Sequence, residues 1–272
     1  MSTTTVQTEA PRVAPARGGF HLPTIDTPIT AVSFSRLVGV EARKQVDTLA
    51  GRWFLIFLGV VIVIAMTIML FVDGGDHNYG SYLAAAAVPL GIGLPVLGIL
   101  SATQEWSQRT AMTTFALEPR RGRVIWAKVV STVLIGLGAV ALTLVLGAVG
   151  RLLGDLRGAE TPWGFDGWSI AGMTLMMLLY VLQGLAFGLA LLNTPAAIVA
   201  YFALPTLMPL MNLVSWLRTP YEWIDLTMTT APLPSGAAMT GEQWAQLAVS
   251  VALWVGVPLA IGVWRVLRRE VK

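Results

Sequence analysis

The sequence contains no cysteine and only two histidines, His21 and His77, among its 272 residues. Without cysteine the chain has no disulfide and no thiolate metal site, and two histidines so far apart do not predict a histidine metal cluster. Charge is also scarce, because 12% of the residues are charged while 55% are hydrophobic and the mean hydropathy is +0.70. Soluble domains carry about 25% charged residues, so the composition predicts an integral membrane protein.

The sequence also lacks a phosphate-binding loop. No G-x-x-x-x-G-K-[ST] motif occurs, and no lysine follows a glycine anywhere. That motif supplies the backbone N–H groups and the lysine that hold nucleotide phosphates. We therefore predict that this chain is not itself an ATPase enzyme and holds no nucleotide cofactor. If ATP drives transport here, ATP and Mg²⁺ must bind to a separate ATPase chain.

Six hydrophobic segments are long enough to cross a membrane. They cover residues 53–72, 82–103, 124–150, 168–192, 195–217 and 243–267. A segment of about 20 residues, at about 1.5 Å per residue, crosses about 30 Å of hydrocarbon. The predicted fold is an all-α, six-span domain over 31–272. It follows a tail over 1–30 that has no periodic apolar pattern and is predicted to be a disordered cytoplasmic segment.

Lysine and arginine are unequally distributed about these spans. Thirteen of them flank one set of span ends, whereas the other set has only Arg151, Arg157 and Arg218. Cytoplasmic segments carry the excess of Lys and Arg. The bias therefore predicts that both termini and the loop between spans two and three lie in the cytoplasm.

Ionisable residues are nearly absent within the six spans. Apart from Lys128 and Arg265, near cytoplasmic ends, the spans contain no Asp, Glu, Lys, Arg or His. This disfavours a carrier driven by an ion gradient, which uses such residues, and an intramembrane protease, which needs His or carboxylates. Gly184 and Gly188 form a small-xxx-small pattern that predicts close helix packing within the chain.

Residues 33–50 are predicted to form an amphipathic helix in the headgroup layer. Apolar residues such as Phe34 and Val38 fall on one face, while Arg43, Lys44 and Asp47 fall elsewhere. Cations of this helix would meet anionic lipids or a partner's carboxylates. A plain juxtamembrane helix is the alternative interpretation.

A basic loop from Glu105 to Lys128 separates spans two and three. Its run 110–117 is amphipathic and stops before Pro119, because the residue before a proline is displaced from helical geometry. Met112, Phe115 and Ala116, at positions i, i+3 and i+4, predict a small apolar face for a partner. The alternative is a loop whose basic residues only set topology.

Three segments resemble the membrane permease subunits of type 2 ABC exporters, in particular those of actinobacteria. Residues 34–53 are similar to the N-terminal elbow helix of that family. Residues 105–128 are similar to its first cytoplasmic loop, with the pattern Glu–Arg–x–Gly–Thr…Pro–x–x–Arg…Lys, and 264–272 resemble the family's ending. One departure is Arg109, which stands where the family usually has glycine before Thr110.

The resemblance implies that residues 110–118 form a coupling helix seated in a cleft of the ATPase. The residues that it assigns to ATPase coupling are Glu105, Arg109, Thr110, Met112, Thr113, Phe115, Glu118, Arg120, Arg121 and Arg123, and those of the elbow helix are Glu41, Arg43, Lys44 and Asp47. Glu105 and the arginines after Pro119 would hold the coupling helix to the elbow helix and the headgroups. The family's last long outer loop also folds into short helices that dip back into the membrane.

The function implied is export of an apolar or amphipathic compound, such as a drug or a lipid, across the bacterial plasma membrane by alternating access. The partners implied are two copies of an ABC ATPase subunit, a second permease that is identical or paralogous, and the lipid bilayer. Spans two and five would line the path, with Met208, Met211, Asn212 and Trp216 as candidate contacts.

Two other classes of function remain as alternatives. One is a membrane scaffold or sensor without transport, whose basic loop binds a regulator or anionic lipid. The other is a membrane enzyme, although the spans lack a cluster of His, Cys or carboxylates. Nucleic acid is not predicted as a partner, because the pI of about 9.5 comes from the loop arginines.

Overall fold

The computed structural model describes residues 32–72, 77–158, 163–164 and 166–268, so the predicted disordered tail lies outside the described residues. Within these ranges the chain is helical and contains no β-strand. Six of its helices are long and apolar enough to cross a membrane: Leu49–Leu70, Tyr79–Ser107, Arg121–Leu156, Gly167–Leu191, Thr194–Leu213 and Gly241–Arg268. The prediction of an all-α chain with six candidate membrane spans is confirmed.

The helices follow one another in a simple order. They are α1 (Phe34–Asp47), α2 (Leu49–Leu70), α3 (Tyr79–Ser107), α4 (Ala111–Leu117), α5 (Arg121–Leu156), α6 (Gly167–Leu191), α7 (Thr194–Leu207), α8 (Arg218–Ile224), α9 (Leu226–Thr230), α10 (Gly241–Val251) and α11 (Val257–Arg268). A π-helical turn, Ala252–Gly256, joins α10 to α11 within the last span. Polar side chains cap several starts: Ser33 accepts from the third N–H of α1, and Asn193 does the same for α7.

Helices α3 and α6 form the centre of the bundle, and glycines allow them to approach closely. A Cβ atom on Gly184 would lie 2.1 Å from the carbonyl oxygen of Pro95, and one on Gly188 would lie 2.6 Å from the Cβ of Ala102. The predicted packing of this small-xxx-small pattern within the chain is confirmed. The same contact buries Leu94 of α3 and Val181 of α6.

The fifth span differs from its prediction over 195–217. Its α-helix ends at Leu207, and two 3-10 turns, Met208–Leu213 and Ser215–Leu217, follow. Pro209 has no N–H to donate and its ring crowds the carbonyl four residues earlier, so the α-helical pattern stops here. The candidate span therefore ends at Leu213.

The third span is longer than predicted, with 36 residues in α5. A helix of that length extends about 54 Å, well beyond a hydrocarbon core of about 30 Å. The helix is therefore longer than a span needs to be, and its charged residues lie near its two ends. At one end Arg121 and Arg123 follow the basic loop, and at the other Arg151 pairs with Asp155.

The segment between spans five and six folds back into the bundle. The Tyr180 and Thr230 hydroxyl oxygens lie 3.1 Å apart, and Trp254 donates its indole N–H to the carbonyl of Ile224 at 2.5 Å. Trp254 lies thirteen residues after Gly241, the start of α10, which is about 20 Å along the last span. The junction between α8 and α9 therefore contacts the last span about halfway along its length.

Candidate functional site

Four charged side chains from three helices form what we call the charge cluster: Glu41 and Lys44 of α1, Glu105 of α3 and Lys128 of α5. The Nζ atom of Lys44 lies 2.6 Å from Glu41 Oε1 and 2.9 Å from Glu105 Oε1. The Nζ atom of Lys128 lies 2.6 Å from Glu41 Oε2 and 3.4 Å from Glu105 Oε2. Two cations thus balance two carboxylates across three helices.

Burial makes this balance necessary. Glu41, Glu105 and Lys128 are all buried, and a buried charge without its partner costs several kcal/mol. Burial by itself lowers the pKa of Lys44, but the carboxylates of Glu105 and Glu41 outweigh that effect and raise it above the ordinary value of 10.5. Lys44 is therefore held in its charged form.

The residues predicted for the elbow helix divide into two groups. Glu41 and Lys44 turn towards the spans, whereas Arg43 and Asp47 are exposed. Helix α1 packs on the bundle through a polar face, since its buried residues are Glu41 and Gln45, and apolar residues such as Phe34 are exposed. The carboxylates that pair with Lys44 are Glu41 of the same helix and Glu105 of α3, so both belong to this chain.

A left-handed residue connects α3 to α4. Arg109 has φ +57°, the N–H of Thr110 donates to the carbonyl of Glu105 at 2.9 Å, and the N–H of Arg109 donates to that of Trp106 at 3.4 Å. These bonds form a Schellman cap, which usually has glycine at the left-handed position because glycine adopts it without steric cost. This position is the one where the sequence departs from the exporter pattern.

Helix α4 lies within the predicted coupling segment 110–118. Phe115 is half-buried, with its ring 6.5 Å from that of Trp106 and the guanidinium of Arg121 5.0 Å above it. Met112 is 58% exposed and Leu117 is 78% exposed. The apolar side chains that α4 exposes are therefore Met112, Ala116 and Leu117, while Phe115 packs on its own chain. A partner role for any of them stays a prediction.

Glu118 holds the end of α4 to the rest of the fold. It is buried, and a buried carboxylate is costly unless cations pair with it. The contacts of this loop are Arg120 Nε to Glu118 Oε1 at 3.1 Å, Arg123 Nη1 to Glu118 Oε2 at 3.1 Å, Arg123 Nη2 to the Val32 carbonyl at 2.6 Å and Arg121 Nη1 to the Val266 carbonyl at 2.9 Å. The loop is thus attached to the start of α1 and the end of the last span. Of the remaining predicted coupling residues, Thr110 and Thr113 are exposed.

A cavity of about 280 Å³, here called the central cavity, lies halfway along the bundle between α3, α6, α7, α9 and the π-helical turn. The side chains that the argument below uses are Tyr180, Gln183, Tyr201, Asp225 and Trp254. Among the predicted path residues, Met208 lines this cavity. The other three predicted path residues, Met211, Asn212 and Trp216, do not line this cavity. They lie in the 3-10 turns that follow α7.

Asp225 places a carboxylate inside the bundle that the sequence did not predict. The residue is 3% exposed, and its Oδ1 accepts the N–H of Met228 at 2.9 Å, capping α9. Because Asp225 lies between two predicted spans, the sequence indicated a residue of an outer loop, although its neighbours Ile224 and Leu226 are apolar. Apolar flanks around a lone acid are the only sequence signal of its burial. Asp225 lies outside the predicted spans, which contain no carboxylate, but the fold buries it beside the middle of the last one.

No cluster of three or more His, Cys, Asp or Glu side chains suited to a metal ion occurs among the described residues. A scan against protein-family models finds none that matches the chain, and a search of curated proteins finds no match either. The function must therefore be argued from the sites themselves.

Proposed function

We propose that this chain is the membrane permease subunit of an ATP-driven exporter of the ABC type 2 class, in a bacterial plasma membrane. Two permeases, identical or paralogous, would pair with two copies of a separate ATPase chain. The cargo is an apolar or amphipathic compound, which crosses by alternating access. The observation that carries this proposal is the anchored helix α4 and its exposed apolar side chains.

Helix α4 has only seven residues, too few to be stable in isolation. Contacts with the rest of the chain therefore hold it in place: Phe115 packs on Trp106, and Glu118 pairs with two arginines. Met112 and Leu117 remain exposed on a polar loop. A preformed short helix with outward apolar side chains fits recognition in a groove of a partner protein, and we assign that groove to the ATPase.

The contacts around α4 also support a route by which ATPase closure would move the spans. The Schellman cap joins α4 to α3, and Arg121 begins α5 three residues after Glu118. The charge cluster then joins α3 and α5 to α1. Displacement of α4 would therefore move α1, α3 and α5 together, and α3 lines the central cavity.

The first experiment asks for the partner. The full chain, purified from its native membrane in mild detergent, is expected to bring along a chain with ATPase motifs and to show no ATP hydrolysis by itself. Specific ATP binding by the isolated chain would overturn the two-chain arrangement. Absence of any ATPase partner, together with binding of a regulator by the loop, would favour the scaffold alternative.

A matched pair of variants then tests α4. Leu117→Ala is expected to lower the amount of copurified ATPase. If Leu117 is an interface anchor that contributes about 2 kcal/mol, its loss weakens the affinity for the ATPase by up to about thirtyfold. Leu156→Ala is the control, because Leu156 is as exposed, at 85% against 78%, and lies at the opposite end of α5. Equal ATPase recovery for both variants would make α4 an ordinary loop helix.

A further inference from the structure

We propose that the central cavity binds the positively charged group of an amphipathic organic cation. The carboxylate of Asp225 supplies the counter-charge, and the rings of Tyr180, Tyr201 and Trp254 surround the cation. As a statement about the exported cargo this inference rests on the proposed function. As a statement about binding it concerns this chain alone.

The burial of Asp225 without a cationic partner in the described part of the chain is the first observation. Four carboxylates are buried in the described part of the chain: Glu41, Glu105, Glu118 and Asp225. The first three each have a lysine or arginine within 3.1 Å. Asp225 has no lysine or arginine partner among the described residues. Since an uncompensated buried carboxylate is costly, a ligand that brings a positive charge fits this site.

The groups that do contact Asp225 are neutral. Its Oδ1 accepts the backbone N–H of Met228, and the Tyr221 hydroxyl lies near the same carboxylate. Burial raises the pKa of Tyr221, and the negative charge of Asp225 raises it further, so Tyr221 stays a neutral donor. Capping of α9 does not require the charge either, because asparagine caps a helix about as well as aspartate.

The aromatic rings are the second observation. Trp254 is held by its bond to the Ile224 carbonyl and stacks on Phe187, with ring centroids 6.1 Å apart and planes 13° apart. Tyr180 is held by its hydroxyl contact with Thr230. Trp254 also belongs to the π-helical turn, a geometry that is frequent at functional sites. Rigid aromatic faces attract cations through their quadrupole, and aromatic cages bind quaternary ammonium groups.

Two buried polar groups in the same cavity are the third observation. Gln183 is 2% exposed and Tyr201 is 7% exposed, and both line the cavity. The amide of Gln183 and the hydroxyl of Tyr201 are the polar groups that these two side chains bring to the cavity lining. A polar group removed from bulk water needs a hydrogen-bond partner. Their position facing the cavity points to a ligand that also offers hydrogen-bonding groups.

The shape of the cavity suits an amphipathic molecule rather than a bare ion. Its volume of about 280 Å³ exceeds what an inorganic cation needs, and its rim includes the exposed apolar residues Val88 and Phe202. The charged group would lie next to Asp225, with the apolar part of the molecule towards that rim. An organic ammonium compound with an aromatic or aliphatic substituent has this character.

The test measures binding of benzyltrimethylammonium to the purified full chain in detergent, without ATPase, by isothermal titration calorimetry. Neopentylbenzene, which has the same shape without the charge, serves as a competitor. We expect the cation to bind, Asp225→Asn to lower its affinity at least tenfold, and the affinity of neopentylbenzene, obtained from its competition with the cation, to be at least tenfold weaker than that of the cation. Asp166→Asn is the matched control, because Asp166 also caps a helix but is exposed, and its affinity should equal that of the natural chain.

A second pair of variants separates the ring from the hydroxyl. Tyr201→Phe keeps the aromatic face and should retain cation binding, whereas Tyr201→Leu should weaken it several-fold. Unchanged affinity in Asp225→Asn, or equal competition by the neutral compound, would overturn the inference and leave an apolar cavity only. Thermal unfolding of each variant shows whether it is folded.

The two proposals fail separately. If the ATPase copurifies but the chain binds no organic cation, the assignment of the cavity is wrong and the permease assignment stands. If the cation binds with the expected dependence on Asp225 but no ATPase partner exists, the permease assignment is wrong and the cation site stands.

Discussion

Lys128 and Glu41 form a buried ion pair in which 2.6 Å separates Nζ from Oε2, although 87 residues separate them in the sequence. The pair joins α1, which precedes the first span, to α5, the third. Glu105 of α3 lies 3.4 Å from the same Nζ atom. One buried ammonium therefore connects the helix before the first span to the two spans that flank the basic loop.

Removal of this ammonium should destabilise the protein strongly. Lys128→Met leaves Glu41 and Glu105 with Lys44 alone, and breaking a buried pair in this way costs about 3–5 kcal/mol. Arg43→Met is the control, because Arg43 is exposed on the same helix as Glu41 and should change stability by about 0.5 kcal/mol at most. Denaturant unfolding in detergent measures both. Equal stability of the two variants would mean that the cluster contributes little.

Alkaline pH should weaken the charge cluster through Lys44. Its pKa is raised in the folded protein above 10.5, so its contribution to stability is fully present below about pH 10.4, the value of an unfolded lysine, and is lost as the pH rises through the folded pKa. The difference in stability between the natural chain and Lys44→Met should therefore be constant near neutrality and shrink at alkaline pH. Thermal unfolding at several pH values measures it; a difference that grows at alkaline pH would contradict the pairing.

Arg109→Gly should stabilise the connection between α3 and α4. A left-handed backbone costs an L-residue about 1–2 kcal/mol, and glycine removes that cost. Glycine in turn loses about 0.5–1 kcal/mol, because its unfolded chain has more conformational freedom to lose on folding. We expect a net gain of about 0.5–1 kcal/mol. Gln108→Gly, at the preceding position with φ −91°, should lose stability instead. A loss for Arg109→Gly would show that the arginine side chain makes a stabilising contact of its own.

Gly184→Ala should force α3 and α6 apart. Its new Cβ would lie 2.1 Å from the backbone oxygen of Pro95, which cannot move without its helix, so a loss of about 1–3 kcal/mol is expected from overpacking. Gly138→Ala is the control, since nothing lies within 4 Å of a Cβ there. Alanine in a helix interior should gain about 0.5–1 kcal/mol over glycine at that position. Thermal unfolding measures both changes in stability. A loss for Gly184→Ala with a gain for Gly138→Ala supports the close contact of α3 and α6, and a gain for both contradicts it.

Local rules explain why several elements were predictable. The length of each apolar run sets a span because the hydrocarbon thickness sets the length of a helix that crosses it. Pro119 and Pro209 lie just beyond the ends of α4 and of the α-helical part of span five for steric reasons, although the predicted span over 195–217 continued through Pro209. The residue before Thr110 is left-handed, which accounts for the glycine of the resembling pattern.

The sequence by itself determined that the chain is helical, that six helices are long enough to cross a membrane, and that a short helix lies between the second and third, because these features depend on residues near one another. Only the tertiary structure decided which charges meet, that Phe115 turns towards Trp106, and that Asp225 is buried beside the middle of the last span. Those outcomes depend on the burial of each side chain by helices distant in sequence. In a low dielectric, that burial decides which charges must find a partner.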